Sequence, residues 1–264
     1  MRRTLIKILV ANDDGIHFPG LWTLVEELAR RHQVTVVAPD REQSGVGTAV
    51  SLHRILRVRE VKPEVPGVAA YAVEGTPGDC VILGLGELAR DAELVVAGIN
   101  EGANLGDDVL ISGTVGASLQ ALFRGIPAFA VSVSDLGSVN YRPAARIAAR
   151  LAQAMGEGLL PRHMVLNVNV PDLPAEEIRG VMVTRLAARR YADILRRETD
   201  TRGKSYFWIV RGRPEWEVEE GTDIWAIVNG FVSLLPLHSD LLCPGCLPQV
   251  EAVCQTVWDE LQGK

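Results

Sequence analysis

The sequence predicts an α/β fold, a doubly wound, mostly parallel three-layer sheet that ends in a β-hairpin arm and a tail helix. Two observations carry this. Short β-branched runs recur with stretches of helical periodicity between them, and several of those runs are apolar throughout. Runs of that kind belong to strands covered on both faces, and a repeated strand–helix order closes into a parallel sheet with helices on either side.

Taken in order, Lys7–Ala11, 34–38, 94–97, Ala128–Val133 and 164–170 read as buried strands. Between them, 20–31, 77–88, 114–124 and 143–155 carry apolar residues at helical spacing. The character changes near Arg185. The segment 185–211 is rich in arginine, turns at Asp200-Thr201-Arg202-Gly203 and continues into the aromatic strand Ser205–Arg211, the pattern of a β-hairpin. Beyond it, Asp223–Val228 and 230–235 read as two further strands and 248–261 as a closing helix. The chain therefore divides into an α/β domain, 1–184, and an arm-and-tail part, 185–264. The roughly 80 residues of that second part have few apolar anchors and would be marginal alone.

Composition narrows the function. A net charge of −6 argues against non-specific nucleic-acid binding, which draws its affinity from neutralising many backbone phosphates. No run of about 18 apolar residues occurs, and the apolar run before the first acids is too short for a signal peptide, so a soluble cytoplasmic protein without a membrane partner is expected. Cys80, Cys243, Cys246 and Cys254 are too few and too uneven for a disulfide framework. Cys243 and Cys246 have the spacing of half a zinc site or of a redox pair, but no second pair completes a site, and they read as structural. The histidines His17, His32, His53, His163 and His238 are scattered without metal-ligand spacing.

In an open parallel sheet the functional groups gather at the carboxyl ends of the strands. Directly after the first strand stands Asn12-Asp13-Asp14-Gly15, two adjacent carboxylates that repel unless a cation lies between them or solvent reaches both. A divalent-metal site and an acidic turn both fit that pattern. After the second strand, the loop from Ala38 to Gly47 offers Ser44 as a metal ligand or is a plain turn. The richest segment runs from Ala97 to Ala117. Its Ser112-Gly113-Thr114 supplies hydroxyls and free N–H groups at a helix start, which is a phosphate site in physical terms and also an ordinary N-cap. Asn100 and Asn104 favour function, because they place amides beside the strand end that bears Asp13 and Asp14. Aspartate, serine and asparagine are hard oxygen ligands that suit Mg²⁺ or Mn²⁺ better than zinc.

These segments resemble a known family. NDDGIHFPGL at 12–21, APDREQSGVG at 38–47, GTPGDCV at 75–81 and GINEGANLGDDVLISGTVGAS at 98–118 look like the successive signature motifs of the SurE survival-protein family. LNVNVPDLP at 166–174, the turn and strand at 200–208 and GTDIWAIVNGFVSLLPL at 221–237 agree, so the resemblance covers nearly the whole chain. It implies a Rossmann-like domain, and a divalent metal held by Asp13, Asp14, Ser44 and Asn100, with Asp13, Asp14 and Asn100 catalytic. Asn104, Ser112, Gly113 and Thr114 are then placed around the substrate phosphate. It also implies a 5′-nucleotidase that hydrolyses nucleoside 5′- and 3′-monophosphates, with short polyphosphate as a further substrate, and swapping of the arm and tail into homodimers or homotetramers. Three features depart from the family pattern: Ile111 stands where an aromatic residue is common, Ala97-Gly98 replaces Ser-Gly, and the tail carries Cys-Pro-Gly-Cys.

The mechanism that follows is metal-assisted attack of water on phosphorus. An aspartyl-phosphate formed on Asp13 or Asp14 is the alternative. A phospho-receiver domain would need a lysine after its fifth strand, where Ser134-Asp135-Leu136-Gly137-Ser138 has none. A dinucleotide-binding oxidoreductase would need a glycine-rich turn where Asn12-Asp13-Asp14-Gly15 stands.

Overall fold

The computed structural model describes residues 5–134, 139–187, 189–190, 193–211, 215–216 and 218–262. Among them the strands are β1 (Lys7–Ala11), β2 (Gln33–Pro39), β3 (Val58–Glu60), β4 (Ala69–Val73), β5 (Leu94–Glu101), β6 (Ala128–Val133), β7 (Val165–Val170), β8 (Gly180–Val183), β9 (Arg189–Arg190), β10 (Asp193–Thr199), β11 (Ser205–Arg211), β12 (Glu215–Trp216) and β13 (Phe231–Leu237). The helices are α1 (Pro19–Ala29), α2 (Pro77–Leu83), α3 (Gly113–Leu122), α4 (Arg142–Gly156), α5 (Asp223–Val228) and α6 (Leu247–Leu261). None of the described helices is long and apolar enough to cross a membrane.

Nine strands form one sheet in the order β3-β4-β2-β1-β5-β6-β7-β13-β8. From β4 to β7 every neighbouring pair is parallel. Numbered along the chain, those parallel strands follow the doubly wound order 3-2-1-4-5-6, whose direction of winding reverses between β1 and β5. The α/β class expected from the apolar runs is therefore the observed one. Alternation along β1 shows how the three layers arise. Ile8 and Val10 face a core shared with Leu21, Leu24 and Leu28 of α1 and with Ala144, Ala148 and Ala152 of α4. Leu9 and Ala11 face the other way, onto Cys80 and Val81 of α2 and Ala117 and Ala121 of α3. Each leucine taken fully out of water contributes about 1.5–3 kcal/mol.

Several sequence expectations need correction. The run Asp223–Val228, expected as a strand, is the helix α5. Thr222 caps it, its hydroxyl oxygen accepting the Trp225 N–H at 3.3 Å. A six-residue apolar run does not separate strand from buried helix by periodicity, and the Thr-Asp pair at its start is a helix-start signal that the β-branched content hid. The helix expected over 77–88 ends at Leu83 and continues as a wider π-turn, Gly84–Leu88. β3, β4 and β8 were not foreseen.

Within the segment 185–264, β13 inserts between β7 and β8 and so belongs to the main sheet. β10 and β11 pair antiparallel as the expected hairpin, with Lys204 N–H donating to the Asp200 carboxylate at 2.8 Å across the turn. β9 and β12 form a second antiparallel pair. Cys243 and Cys246, in the short turn before α6, are joined by a disulfide; Cys80 is buried and Cys254 exposed.

Candidate active site

The reversal of winding leaves a crevice beyond the carboxyl ends of β1 and β5, and the expected site residues fall there. After β1 the chain turns sharply. Asn12 Nδ2 donates to the Gly15 carbonyl at 2.9 Å and the Gly15 N–H returns to Asn12 Oδ1 at 3.2 Å. Gly15 has φ +103, and a Cβ there would stand 3.2 Å from the Arg41 carbonyl carbon, so glycine is needed on both counts. The loop after β2 is laid over this turn by Gln43 N–H, which donates to the Asp13 carbonyl at 2.7 Å. That brings exposed Ser44 to the crevice, its hydroxyl donating to Glu42 at 2.8 Å.

At the end of β5 the pairing with β6 slips by one residue between Ala97 and Asn100. A bulge of this kind re-aims the side chains that follow it. Asn100 Nδ2 donates to the Gly102 carbonyl at 2.6 Å, so its carboxamide oxygen is the atom left to meet a cation. Asn104 is held more firmly. Its N–H donates to Asn169 Oδ1 at 2.8 Å, its Nδ2 to Ser132 Oγ at 2.9 Å, and its carbonyl accepts from Asn167 and Asn169 at 2.8 and 3.1 Å.

The segment then enters α3. Ser112 is the N-cap, its Oγ accepting the Val115 N–H at 3.1 Å. Gly113 packs directly on Asp13: a Cβ there would lie 2.8 Å from the Asp13 Cβ. The fully buried Thr114 hydroxyl donates to the Asp13 carboxylate, so it supports the acid rather than the open cavity. The first turn of α3 thus stands against the acidic pair at the end of β1.

Asp13, Ser44, Asn100, Asn104 and Ser112 line one cavity of about 640 Å³. Asp14 lines a separate one of about 270 Å³ with Gly15, His17, Asp40 and Arg41. Sequence reasoning did not single out Glu101, Asp108 and Ile209, which also line the larger cavity. It also passed over Ser132, Asn167 and Asn169 behind Asn104. The two asparagines alternate within the otherwise apolar β7, a polar period of two at a strand end that would have found them.

Burial pushes the Asp13 carboxyl above its usual range, against the opposing pull of its hydrogen bonds with Thr114. Asp14 is pushed up to about 8, first by burial and then by the charge of Asp13, with the Glu101 N–H acting the other way. The Asp14 Oδ2 atom is buried without a hydrogen-bond partner. An unpartnered carboxyl oxygen next to the buried Asp13 is a group whose charged form a cation would stabilise. The described residues contain no group of three or more His, Cys, Asp or Glu side chains able to hold a metal. A cation here would complete its shell with the Ser44 hydroxyl and the Asn100 amide, a hard-oxygen set that fits Mg²⁺ or Mn²⁺.

A family model described as "Survival protein SurE" matches residues 8–193 of the chain. The chain is 49% identical over 238 residues to the 5′-nucleotidase SurE of Geobacter sulfurreducens, with 89% of each chain covered. To the 5′-nucleotidase SurE of Dehalococcoides mccartyi it is 48% identical over 239 residues, 89% of this chain and 90% of the relative. With that of Moorella thermoacetica it shares 43% over 252 residues, covering 95% and 97%. The crystal structure of the SurE protein from Aquifex aeolicus superposes with a TM-score of 0.81 at 36% identity, covering 94% of this chain and 99% of that one.

Proposed function

Because this chain belongs to the survival protein SurE family, we propose that it hydrolyses nucleoside 5′-monophosphates to nucleoside and inorganic phosphate, the activity named for its relatives. The observation that carries the proposal is the meeting of the buried Asp13, with half-buried Asp14 beside it in sequence, and the N-terminus of α3, joined by the hydrogen bond from Thr114 to Asp13. Phosphoryl transfer asks mainly for positioning and charge neutralisation. A cation site set against a helix N-terminus supports both.

In this proposal Asp13, Asp14, Ser44 and Asn100 hold one divalent cation per subunit, Mg²⁺ or Mn²⁺. When bound, that cation supplies Lewis acidity toward a phosphoryl oxygen and readies a water for in-line attack. The chain does the rest. The Gly113 N–H and the dipole of α3 favour the phosphate anion, with Ser112 and Asn104 on the same wall, and Thr114 acts on the phosphate side through the Asp13 carboxylate it holds. Gly113, having no side chain, lets that helix end approach Asp13. The Thr114 hydroxyl fixes the Asp13 carboxylate. Both carboxylates serve as ligands of that cation in this proposal, so water rather than an aspartyl nucleophile is the favoured attacking group.

Nucleoside 3′-monophosphates and short polyphosphate are proposed as further substrates. Beyond the phosphate side the cavity is walled by Ile111, Ile209, Glu101 and Asp108, and among the described residues no lysine or arginine lines it. We also propose a homodimer or homotetramer assembled through the arm, on which Phe207, Trp208 and Ile209 are exposed.

Phosphate release from AMP with Mn²⁺ or Mg²⁺, and with chelator, tests the activity. Asp13→Ala is expected to lower turnover by at least about 100-fold while the far-ultraviolet circular dichroism stays native. Release undiminished by chelator would refute the metal, and no release from any nucleoside monophosphate would refute the nucleotidase.

A further inference from the structure

We infer that Asp223 is a positioning residue that clasps the loop carrying Asn104 to the root of the hairpin arm, and so sets the spacing between two walls of the substrate cavity. Its carboxylate is fully buried and lies outside the cavity. Oδ2 accepts the Gly106 N–H at 2.8 Å, and Oδ1 accepts those of Ala187 at 3.0 Å and Ile224 at 2.8 Å. The Asp223 N–H in turn donates to the Arg185 carbonyl at 3.0 Å. Gly106 and Ala187 lie 117 and 36 residues from Asp223 along the chain, yet they meet on its two oxygens.

Packing repeats the arrangement. Leu105 from the loop, Ala187 from the arm root and Ile224 from α5 form a small buried cluster of their own, apart from the cores on the two faces of the sheet. On its other side the loop is already fixed, because Asn104 is bound to Ser132, Asn167 and Asn169. Asp223 supplies the second anchor. Past Ala187 the chain leaves for the arm, whose Ile209 lines the same cavity as Asn104. Gly106, Ala187 and Ile224 all approach the carboxylate as N–H donors, so an isosteric amide would turn an NH₂ group toward one of them and lose that bond.

The kinetic part of this inference rests on the proposed nucleotidase activity; the clasp itself does not. The test compares Asp223→Asn with Thr222→Ala, which removes the cap of α5 but leaves both clasp bonds. In Asp223→Asn, KM for AMP at saturating Mn²⁺ is expected to rise about tenfold or more, while Mn²⁺ affinity stays within about twofold. Hydrogen exchange is expected to accelerate together in the peptides spanning 103–106 and 185–187. Thr222→Ala should leave KM and both peptides near wild type. Should Asp223→Asn fail to fold, Asp223→Glu, which keeps the charge but displaces it, is expected to show the same paired loss of protection. Wild-type protection of either peptide in the Asp223 variant, or an equal rise in KM in Thr222→Ala, would overturn the inference. If the wild-type protein released no phosphate from AMP, the nucleotidase proposal would fall and the exchange measurement would still decide the clasp.

Discussion

Metal loading should expel a proton. Burial and the neighbouring Asp13 hold the Asp14 carboxyl up to about 8 in the metal-free protein. At pH 7 it is then roughly 90% protonated, against almost none for an ordinary carboxyl at that pH. A cation binds the carboxylate form, so each Mn²⁺ taken up at pH 7 should release nearly one proton. Apparent affinity should rise about tenfold per pH unit from about pH 6 to 8 and level off above that. Calorimetry in buffers of different ionisation enthalpy measures the proton count, and titrations at several pH values measure the slope. Asp14→Asn should weaken binding and remove most of the proton release. A heat of binding that does not depend on the buffer, together with an affinity flat between pH 6 and 8, would refute the reasoning.

The same shift has a sign for stability. In the metal-free protein the native state keeps the Asp14 proton between the unfolded value of 3.8 and about 8, a window in which the unfolded chain has lost it. Stability is therefore full below 3.8 and is lost progressively as the pH rises to about 8. Bound Mn²⁺ should flatten that loss.

Other outcomes are equally specific. Inorganic phosphate and vanadate should compete with substrate, and the double variant Ser112→Ala, Thr114→Ala should weaken that competition about tenfold or more; an unchanged inhibition constant would place the anion elsewhere. Gly113→Ala would put a methyl 2.8 Å from the Asp13 Cβ. It should cost about 1–3 kcal/mol in chemical denaturation and lower activity with it, and wild-type stability with wild-type turnover would contradict that contact. Phe207, Trp208 and Ile209 are 59%, 57% and 75% exposed on a two-stranded hairpin, which is marginal in water by itself. Light scattering should then give a multiple of the 28.7 kDa chain mass, and deleting 191–211 should reduce it. A monomer at micromolar concentration refutes assembly through the arm, and an oligomer unchanged by the deletion assigns it to another surface.

What the sequence by itself determined was local. The apolar run Lys7–Ala11 followed at once by Asp13 and Asp14 puts two acids at a strand end, whatever the rest of the chain does. Ser112-Gly113-Thr114 before an apolar helix is a cap wherever that helix lies. Local signals also failed in places: β4 and β8 are short and carry Ala, Gly and Met among few β-branched residues, and α5 has no period to reveal it. Only the tertiary structure decided which strand ends are neighbours. Strand order places β5 beside β1, which brings Thr114 onto Asp13 across 101 residues of chain, and places β6 and β7 next beyond β5, which brings Asn104 onto Asn169 across 65. It also turned Asp223, one residue of an apolar run in the sequence, into the acceptor that ties the arm root to the site loop. The physical reason is that caps, turns and alternation depend on residues a few positions apart, whereas the site depends on burial and on hydrogen bonds between segments that touch only after the sheet has formed.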